Sequence, residues 1–468
     1  MKNENKTTKT NAIILAAGQG KRMQAVCSKV LCEVAGKPML LWAIDAAKNA
    51  GIDRVAVVAS EEDVIALAKE NGCEVYVQSE RLGTGHAVRM AAGFLAENPE
   101  GDTLILYGDN PLIDTTSIRE AHQQHLRQEN AVTVITASLE DPAKYGRIIR
   151  NGDQLAGIVE WADCTPEQLQ IREINSGEYW FVTQDLLTVL GQITNHNAQG
   201  EYYLTDAVDL LLKAGKRAGA YESASTDVVL GANDPKGLLE INERAIASII
   251  NRHLENGVQL QLRDGVVIGP DVVIEAGAVI LPGCRLFGKT IVRRGAVIGP
   301  NSTLIDSEIG ANTHFESSKA TKSTVGENTT IGPYVQLRPD SHIGNRVKIG
   351  DFVEVKNSTI GEGTSVAHLT YVGDADVGRF CNFGCGVVFV NYDGESKNRT
   401  TVGDYCFVGC NTNLIAPVTL GDGAYTAAGA TITKDVPAGA LAISREQLTI
   451  KDGWATRKLK KYIEKKQK

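Results

Sequence analysis

Ile343-Gly344-Asn345-Arg346-Val347-Lys348-Ile349-Gly350-Asp351-Phe352-Val353-Glu354-Val355 returns an aliphatic residue every six positions, twice followed by glycine. The same beat recurs at Ile268-Gly269, Ile298-Gly299, Ile331-Gly332, Val402-Gly403, Val408-Gly409 and Leu420-Gly421. Ile274, Ile280, Leu337, Val366, Phe383, Phe389, Leu414 and Ile432 fill the gaps, so the ladder runs almost unbroken to about Ala438. Hexapeptide repeats wind a parallel β-helix in which each short strand points its aliphatic residue inward onto the coil below. One hexad cannot bury that side chain alone, so the array stands only as a stack. The ladder also explains why glycine, at 47 residues, is so abundant. It slips between Phe389 and Val402, where the intervening segment is too long for one hexad. Such an insertion becomes a projecting loop, a common place for a site.

N-terminal to the ladder the period is different. From Asn11 to about Asn233, apolar runs such as Ala12-Ile13-Ile14-Leu15, Val55-Ala56-Val57-Val58 and Leu104-Ile105-Leu106 alternate with helix-like segments. That alternation predicts β-α-β units and a mostly parallel sheet. Residues 236–255 carry apolar side chains at helical spacing and read as a connecting helix ended by Asn256-Gly257. The expected organisation is a polar extension at 1–10, an α/β domain at 11–235, a linker helix at 236–256, a β-helix domain at 257–450 and a basic tail at 451–468.

Composition narrows the function. The 468 residues carry a formal charge of −8, which argues against nucleic acid as the main partner, because phosphate-backbone binding needs a basic surface. No apolar run approaches the roughly 20 residues of a spanning helix, and the Lys/Asn/Thr-rich start has no apolar region behind it. A cytoplasmic protein without membrane insertion is expected. The nine cysteines then read as reduced thiols. Cys381-x₃-Cys385 and Cys406-x₃-Cys410 look like zinc spacings, but Cys284, Cys381 and Cys406 fall at the fifth place of a hexad, where small inward side chains belong.

Two stretches of the α/β half suggest chemistry. Strand Ala12 to Leu15 runs into Ala16-Ala17-Gly18-Gln19-Gly20-Lys21-Arg22-Met23, a glycine-rich turn placed where a strand meets a helix. Backbone N–H groups and a helix N-terminus bind phosphates there, with Lys21, Arg22 and Lys29 to supply charge. The spacing is neither a dinucleotide fingerprint nor a Walker loop, and an ordinary tight turn is the competing reading. Leu104-Ile105-Leu106-Tyr107-Gly108-Asp109-Asn110 sets a carboxylate just past a buried strand. Alone it reads as a turn or helix cap; beside a phosphate loop it becomes a candidate Mg²⁺ ligand.

At these residues the sequence resembles the bacterial bifunctional N-acetylglucosamine-1-phosphate uridyltransferase / glucosamine-1-phosphate acetyltransferase family, from about Asn11 to Trp454. The resemblance rests on the Leu15-Ala16-Ala17-Gly18-x-Gly20-x-Arg22-Met23 loop, Gln78 with Leu82-Gly83-Thr84-Gly85-His86, Tyr145-Gly146-Arg147-Ile148, Glu160, Asn175, and Asn197-Ala198-Gln199-Gly200-Glu201-Tyr202-Tyr203-Leu204-Thr205-Asp206. It implies an α/β fold: a Rossmann-like mixed-sheet nucleotidyltransferase domain followed by a left-handed parallel β-helix. UDP-N-acetylglucosamine would be held by Leu15, Ala16, Ala17, Gly18, Lys29, Gln78, Gly83, Thr84, Tyr107, Gly108, Asp109, Gly146, Glu160, Asn175 and Asn233. Arg22 and Lys29 would act on the phosphates, with Mg²⁺ on Asp109 and Asn233. Ser28 stands where the family usually has Pro before the lysine.

In the ladder, a lone histidine reads first as a surface residue, but His368-Leu369-Thr370-Tyr371-Val372-Gly373-Asp374-Ala375, Asn382 and Asn391-Tyr392-Asp393-Gly394 resemble the family's acetyltransferase half almost word for word. The resemblance implies His368 as general base with Glu354 as its orienter. Arg338, Lys356, Tyr371 and Asn382 would bind glucosamine 1-phosphate. Cys385, Asn391, Tyr392, Cys410, Ala428 and Arg445 would line the acetyl-CoA groove, with Cys385, Val387 and Cys410 departing from the family's usual residues. It further implies acetyl-CoA and UTP as co-substrates, a homotrimer with sites between subunits, and a place in cell-wall biogenesis. The tail, with eight Lys/Arg against two acids, would meet the coenzyme's phosphates or stay solvated. A one-reaction pyrophosphorylase using the β-helix as a platform, or a non-catalytic sensor, would not need Lys29, Asp109, Asn233 and His368 together.

Overall fold

The computed structural model describes residues 9–467 except 19, 21, 24, 26, 153, 198 and 446. Most of the expected polar extension, Lys21 of the phosphate loop and the last residue of the basic tail therefore lie outside the described residues. The chain divides into two compact units at Ile250/Asn251.

In the first unit the sheet order is Ala218–Glu222, Val132–Ser138, Glu173–Val182, Asp102–Tyr107, Thr10–Leu15, Arg54–Ala59, Glu74–Val77. Glu173–Val182 is antiparallel to both neighbours and the other pairings are parallel. The central strands are continuously apolar because both faces are covered. Ile13, Leu15, Val58 and Ile105 pack into one core, while Ala12, Ile14, Val57, Leu104 and Leu106 pack into the other. A ribbon of Arg147–Asn151 and Gln154–Val159 joins the sheet through Ile174.

Helix Pro235–Glu255 buries Ile241, Ala245 and Ile249 at four-residue spacing. In the second unit, strands of two or three residues form three parallel sheets of eleven, ten and nine strands, a left-handed parallel β-helix. Until the last coil each strand pairs with the one three further on, as Val279–Ile280 does with Val297–Ile298. Ile280, Ile298, Phe315, Ile331, Ile349 and Val366 thereby stack inside at zero exposure. The stack begins at Gln259–Leu260, ends at Leu441–Ala442 and takes Thr426 as an inward residue, so it exceeds the glycine-marked ladder at both ends. At the insertion, Ala375 pairs with Thr400, a longer step than Glu354 to Tyr371. The basic tail holds a helix, Trp454–Lys466, with no buried residue. Among the described residues no helix is long and apolar enough to cross a membrane.

Candidate active sites

Leu15 and Tyr107 are register partners on adjacent parallel strands. The glycine-rich loop and the Gly108-Asp109 turn therefore leave the sheet side by side, at the edge where open α/β sheets bind ligands. Gly20 has φ 54°, and a Cβ there would lie 2.7 Å from Lys29 Cβ. The glycine lets the loop close over the stem of Lys29, which is buried at 8% exposure. Lys29 Nζ contacts Asp109 Oδ2 and donates to Asn233 Oδ1 at 2.9 Å. Arg22 Nη2 donates to the same Asn233 oxygen at 3.1 Å. Ala232 N–H donates to the Asp109 carbonyl at 3.1 Å, tying the two segments together. Residues 22, 29, 109 and 233, scattered along the chain, thus meet at one point.

The cavity around them measures about 570 Å³ and is bounded by Leu15, Ala17, Gly18, Gln78, Gly83, Thr84 and Tyr107 as well as the charged cluster. Gly83 has φ 111°, and a Cβ would sit 2.6 Å from the Tyr202 carbonyl oxygen. That close approach joins two separately recognised segments: Gly85 N–H donates to Tyr202 O at 2.8 Å, Tyr202 N–H to Leu82 O at 2.8 Å, and Leu204 N–H to Thr84 Oγ1 at 3.0 Å. Gln78, 3% exposed, donates to Gly83 O at 3.2 Å. Of the expected ligands, Ala16, Gly108, Gly146, Glu160 and Asn175 do not line this cavity among the described residues. Gly108 N–H donates to Leu15 O at 2.9 Å, and Asn175 Nδ2 donates to Tyr179 Oη at 2.8 Å. Glu160 lies beside Gly146; burial, then Asp163 and Asp206, push its carboxyl above the usual range.

Two residues here were not anticipated. Arg81 lines the cavity and is steered by Ser60 Oγ at 2.8 Å and Glu61 Oε1 at 3.0 Å. Glu178 is fully buried beneath the site. Burial pushes its carboxyl up to about 8 against hydrogen bonds from Ser176 and Asn110, and the Asp109 charge pushes the same way.

The cation suggested by the sequence can be tested against the donor set. Asp109 Oδ2 and Asn233 Oδ1 both reach one positive centre, the Lys29 ammonium. Two hard oxygens suit Mg²⁺, which fills its remaining positions with water and substrate phosphates. No cluster of three or more His, Cys, Asp or Glu side chains able to hold a metal occurs among the described residues.

In the β-helix, one corner column gathers several of the residues expected in the second site. Backbone N–H to O hydrogen bonds run from Leu369 to Asp351 (3.3 Å), Gly386 to His368 (2.9 Å), Asn411 to Cys385 (2.7 Å) and Gly429 to Cys410 (2.7 Å). Asp351, His368, Cys385, Cys410 and Ala428 are therefore stacked coil upon coil, and Arg445 Nε reaches Ala428 O at 3.3 Å. His368 and Leu369 hold the left-handed turn conformation, φ 62° and 56°. The expected Glu354–His368 pairing is not formed: Glu354 Oε1 accepts from Arg338 at 2.9 Å. The carboxylate beside His368 Nδ1 is Asp351, at 3.0 Å. Coil geometry explains the correction, since Asp351 lies directly below His368 while Glu354 lies below Tyr371.

Around the corner, Lys356 and Tyr371 share one sheet, Arg338 directly follows that sheet's strand Gln336–Leu337, and Asn382 belongs to another sheet. Lys356 is pushed below the ordinary lysine range by the Lys397 ammonium first and by partial burial second. Lys397, on the inserted loop, was not singled out from sequence. Asn391 is buried and its Nδ2 is spent on Asp374 Oδ2. Tyr392 stays exposed, its Oη donating to Gly394 O at 2.6 Å. Within each suspected zinc spacing one cysteine faces inward, Cys381 or Cys406, and the other outward, Cys385 or Cys410, so the pairs do not converge. The inward thiols donate instead to backbone, Cys381 to Gly403 O at 3.0 Å and Cys406 to Gly421 O at 3.2 Å.

A phosphate-binding sheet edge followed by a hexad β-helix with a histidine corner defines a nucleotidyltransferase joined to an acyltransferase. Residues 12–199 match the MobA-like NTP transferase domain, and residues 322–357 and 399–434 match the bacterial transferase hexapeptide (six repeats). The chain is 46% identical over 450 residues to the bifunctional protein GlmU of Clostridium acetobutylicum, covering 96% of this chain and 98% of that one. It is similarly 46% identical over 452 residues to GlmU of Clostridium novyi (96% and 98% covered) and 44% identical over 449 residues to GlmU of Acetivibrio thermocellus (96% and 97%). The chain belongs to the bifunctional GlmU family. It is an enzyme with two activities: acetyl transfer from acetyl-CoA to glucosamine 1-phosphate, and uridylyl transfer from UTP to N-acetylglucosamine 1-phosphate with release of pyrophosphate.

Proposed function

We propose that the cavity at Lys29, Asp109 and Asn233 is the uridylyl-transfer site and that the His368 column is the acetyl-transfer site. The convergence of Lys29, Arg22, Asp109 and Asn233 carries the first assignment. The reaction brings two anions together in line: a phosphate oxygen of the sugar phosphate attacks the α-phosphorus of UTP, and the bond to pyrophosphate breaks. Little covalent chemistry falls to the protein. Lys29 and Arg22 neutralise charge developing on the phosphoryl oxygens, the loop offers the backbone N–H groups of Ala17, Gly18 and Gly20, and the walls at Gln78, Gly83 and Thr84 orient the base. Asp109 and Asn233 are the residues that would hold Mg²⁺, which when bound polarises phosphoryl oxygens and orients the nucleotide. Gly146, Glu160 and Asn175, outside the nucleotide cavity, are assigned to the sugar.

For acetyl transfer the sugar's amine must be unprotonated to attack the thioester carbonyl. His368 accepts the proton as the new N–C bond forms and the C–S bond to CoA breaks. The cations Arg338, Lys356 and Lys397 form a phosphate-binding cluster whose mutual repulsion a sugar phosphate relieves. Tyr371 and Asn382 orient the sugar, and Cys385, Asn391, Tyr392, Cys410, Ala428 and Arg445 line the coenzyme groove. Asn391 acts there through Asp374 and the inserted loop. Because His368 is exposed, with 62% of its side chain accessible, a homotrimer that covers the corner with a neighbouring subunit fits the chemistry. We assign the protein to the cytoplasm and to cell-wall biogenesis. The test supplies glucosamine 1-phosphate, acetyl-CoA, UTP and Mg²⁺ and follows CoA, pyrophosphate and UDP-N-acetylglucosamine. Appearance of all three supports the assignment; CoA release without nucleotide sugar, or the reverse, contradicts it.

A further inference from the structure

We propose that Asp351 is a positioning residue for His368, accepting a hydrogen bond from Nδ1–H and so leaving Nε2 as the proton acceptor for the amine. The inference rests on reading His368 as the general base of acetyl transfer. Three observations carry it. Asp351 Oδ1 lies 3.0 Å from His368 Nδ1. The coil register holds the two residues in one column through Leu369 N–H to Asp351 O at 3.3 Å. The other nearby carboxylate, Glu354, is already engaged by Arg338. The titratable neighbours of the imidazole along the column are thus Asp351 on the coil below and Cys385 on the coil above, and only Asp351 is a hydrogen-bond acceptor of full negative charge.

A neutral imidazole exists as two tautomers, and a base is useful only when its lone pair faces the substrate proton. A carboxylate on Nδ1–H selects the tautomer with a free Nε2 and favours the imidazolium formed during transfer, as carboxylate partners of catalytic histidines do elsewhere. The pair contributes little to the fold. Both side chains are largely accessible, 62% for His368 and 40% for Asp351, and exposed ion pairs are weak. The register bond uses the Asp351 backbone, which substitution leaves in place.

The test compares Asp351→Ala, Asp351→Asn, Asp351→Glu and His368→Ala in the full-length protein, with uridylyl transfer as the folding control. Asp351→Ala and Asp351→Asn should lower kcat for acetyl transfer about 10- to 100-fold, a share of the roughly 10²–10⁴-fold that a positioned base contributes. KM for glucosamine 1-phosphate should stay within about 3-fold. Asp351→Glu should recover part of the loss. In a His368→Ala background, Asp351→Ala should cost no more than about 2-fold further, because its effect passes through the imidazole. If His368→Ala is inactive but Asp351→Ala and Asp351→Asn keep full kcat, or if the two losses multiply, the positioning role is overturned while the base assignment stands. If His368→Ala itself retains acetyl transfer, the base assignment fails first.

Discussion

The two sites of this chain differ most in what surrounds them. Lys29 and Gln78 are 8% and 3% exposed inside a walled cavity, whereas His368 stands at an open corner with most of its side chain accessible. The first is assembled by one unit from loops at a sheet edge, which wall it on several sides. The second is a column of residues one coil apart, and a β-helix corner is convex. A solenoid offers register but not enclosure, so enclosure must come from outside the column. Under the proposed assignment the chemistry follows the same division: phosphoryl transfer would rest on charges fixed by the cavity walls, acetyl transfer on a single oriented base.

The comparison breaks most sharply under chelation. EDTA should reduce uridylyl transfer to background and leave acetyl transfer unchanged, measured as pyrophosphate and CoA release on one preparation. Loss of both, restored by Mg²⁺ or Zn²⁺, would put a metal in the β-helix as well.

The closeness of the first site's walls gives the next largest effect. Gly83→Ala places a methyl group 2.6 Å from the Tyr202 carbonyl oxygen in a left-handed backbone region. It should lower kcat/KM for uridylyl transfer by about 10-fold or more, because small displacements of positioning groups are costly. Acetyl-transfer rates should be unaffected, and a Gly83→Ala protein with normal uridylyl transfer would show that the Gly83–Tyr202 contact does not shape the pocket.

Burial also makes the first unit less stable as pH rises from the acid range toward 8. Burial pushes the Glu178 carboxyl up to about 8 in the fold, against about 4.3 in an unfolded chain. Its folded value is raised, so the stability tied to the protonated form is full below about 4.3 and is lost as pH rises through about 8. The loss should be on the order of a few kcal/mol. Glu178→Gln should flatten the dependence of thermal unfolding on pH between about 5 and 8; an unchanged slope would mean that Glu178 is ionised in the fold. The smallest effect is expected at the exposed thiols. Cys385→Ala and Cys410→Ala should each keep acetyl transfer within about 3-fold and lose part of its sensitivity to bulky thiol reagents, while a labelled acetyl group trapped on either cysteine would overturn direct transfer.

The β-helix was legible because its period is written in single residues: an inward aliphatic side chain every sixth position, often before glycine. Where that mark is missing, at Gln259–Leu260, Thr426 and Leu441–Ala442, the coils continue unannounced, because backbone pairing with a neighbour suffices. The glycine-rich loop, Asp109 and His368 stood out as chemistry-bearing residue types at element ends. Partnerships across coils did not. Asp351 and Glu354 both precede His368 by about one coil, and only the register decides which carboxylate lies beneath it. Glu178 left no trace, since a buried acid within a strand breaks the alternation just as an exposed one does.

The central claim is that one chain carries two sites that work independently, and the most direct test assays both half-reactions on Asp109→Ala and His368→Ala. Asp109→Ala should abolish pyrophosphate release and leave CoA release at its normal rate; His368→Ala should do the reverse; an equal mixture of the two proteins should again make UDP-N-acetylglucosamine from glucosamine 1-phosphate. If either folded variant loses both half-reactions, the account of two separate sites is contradicted.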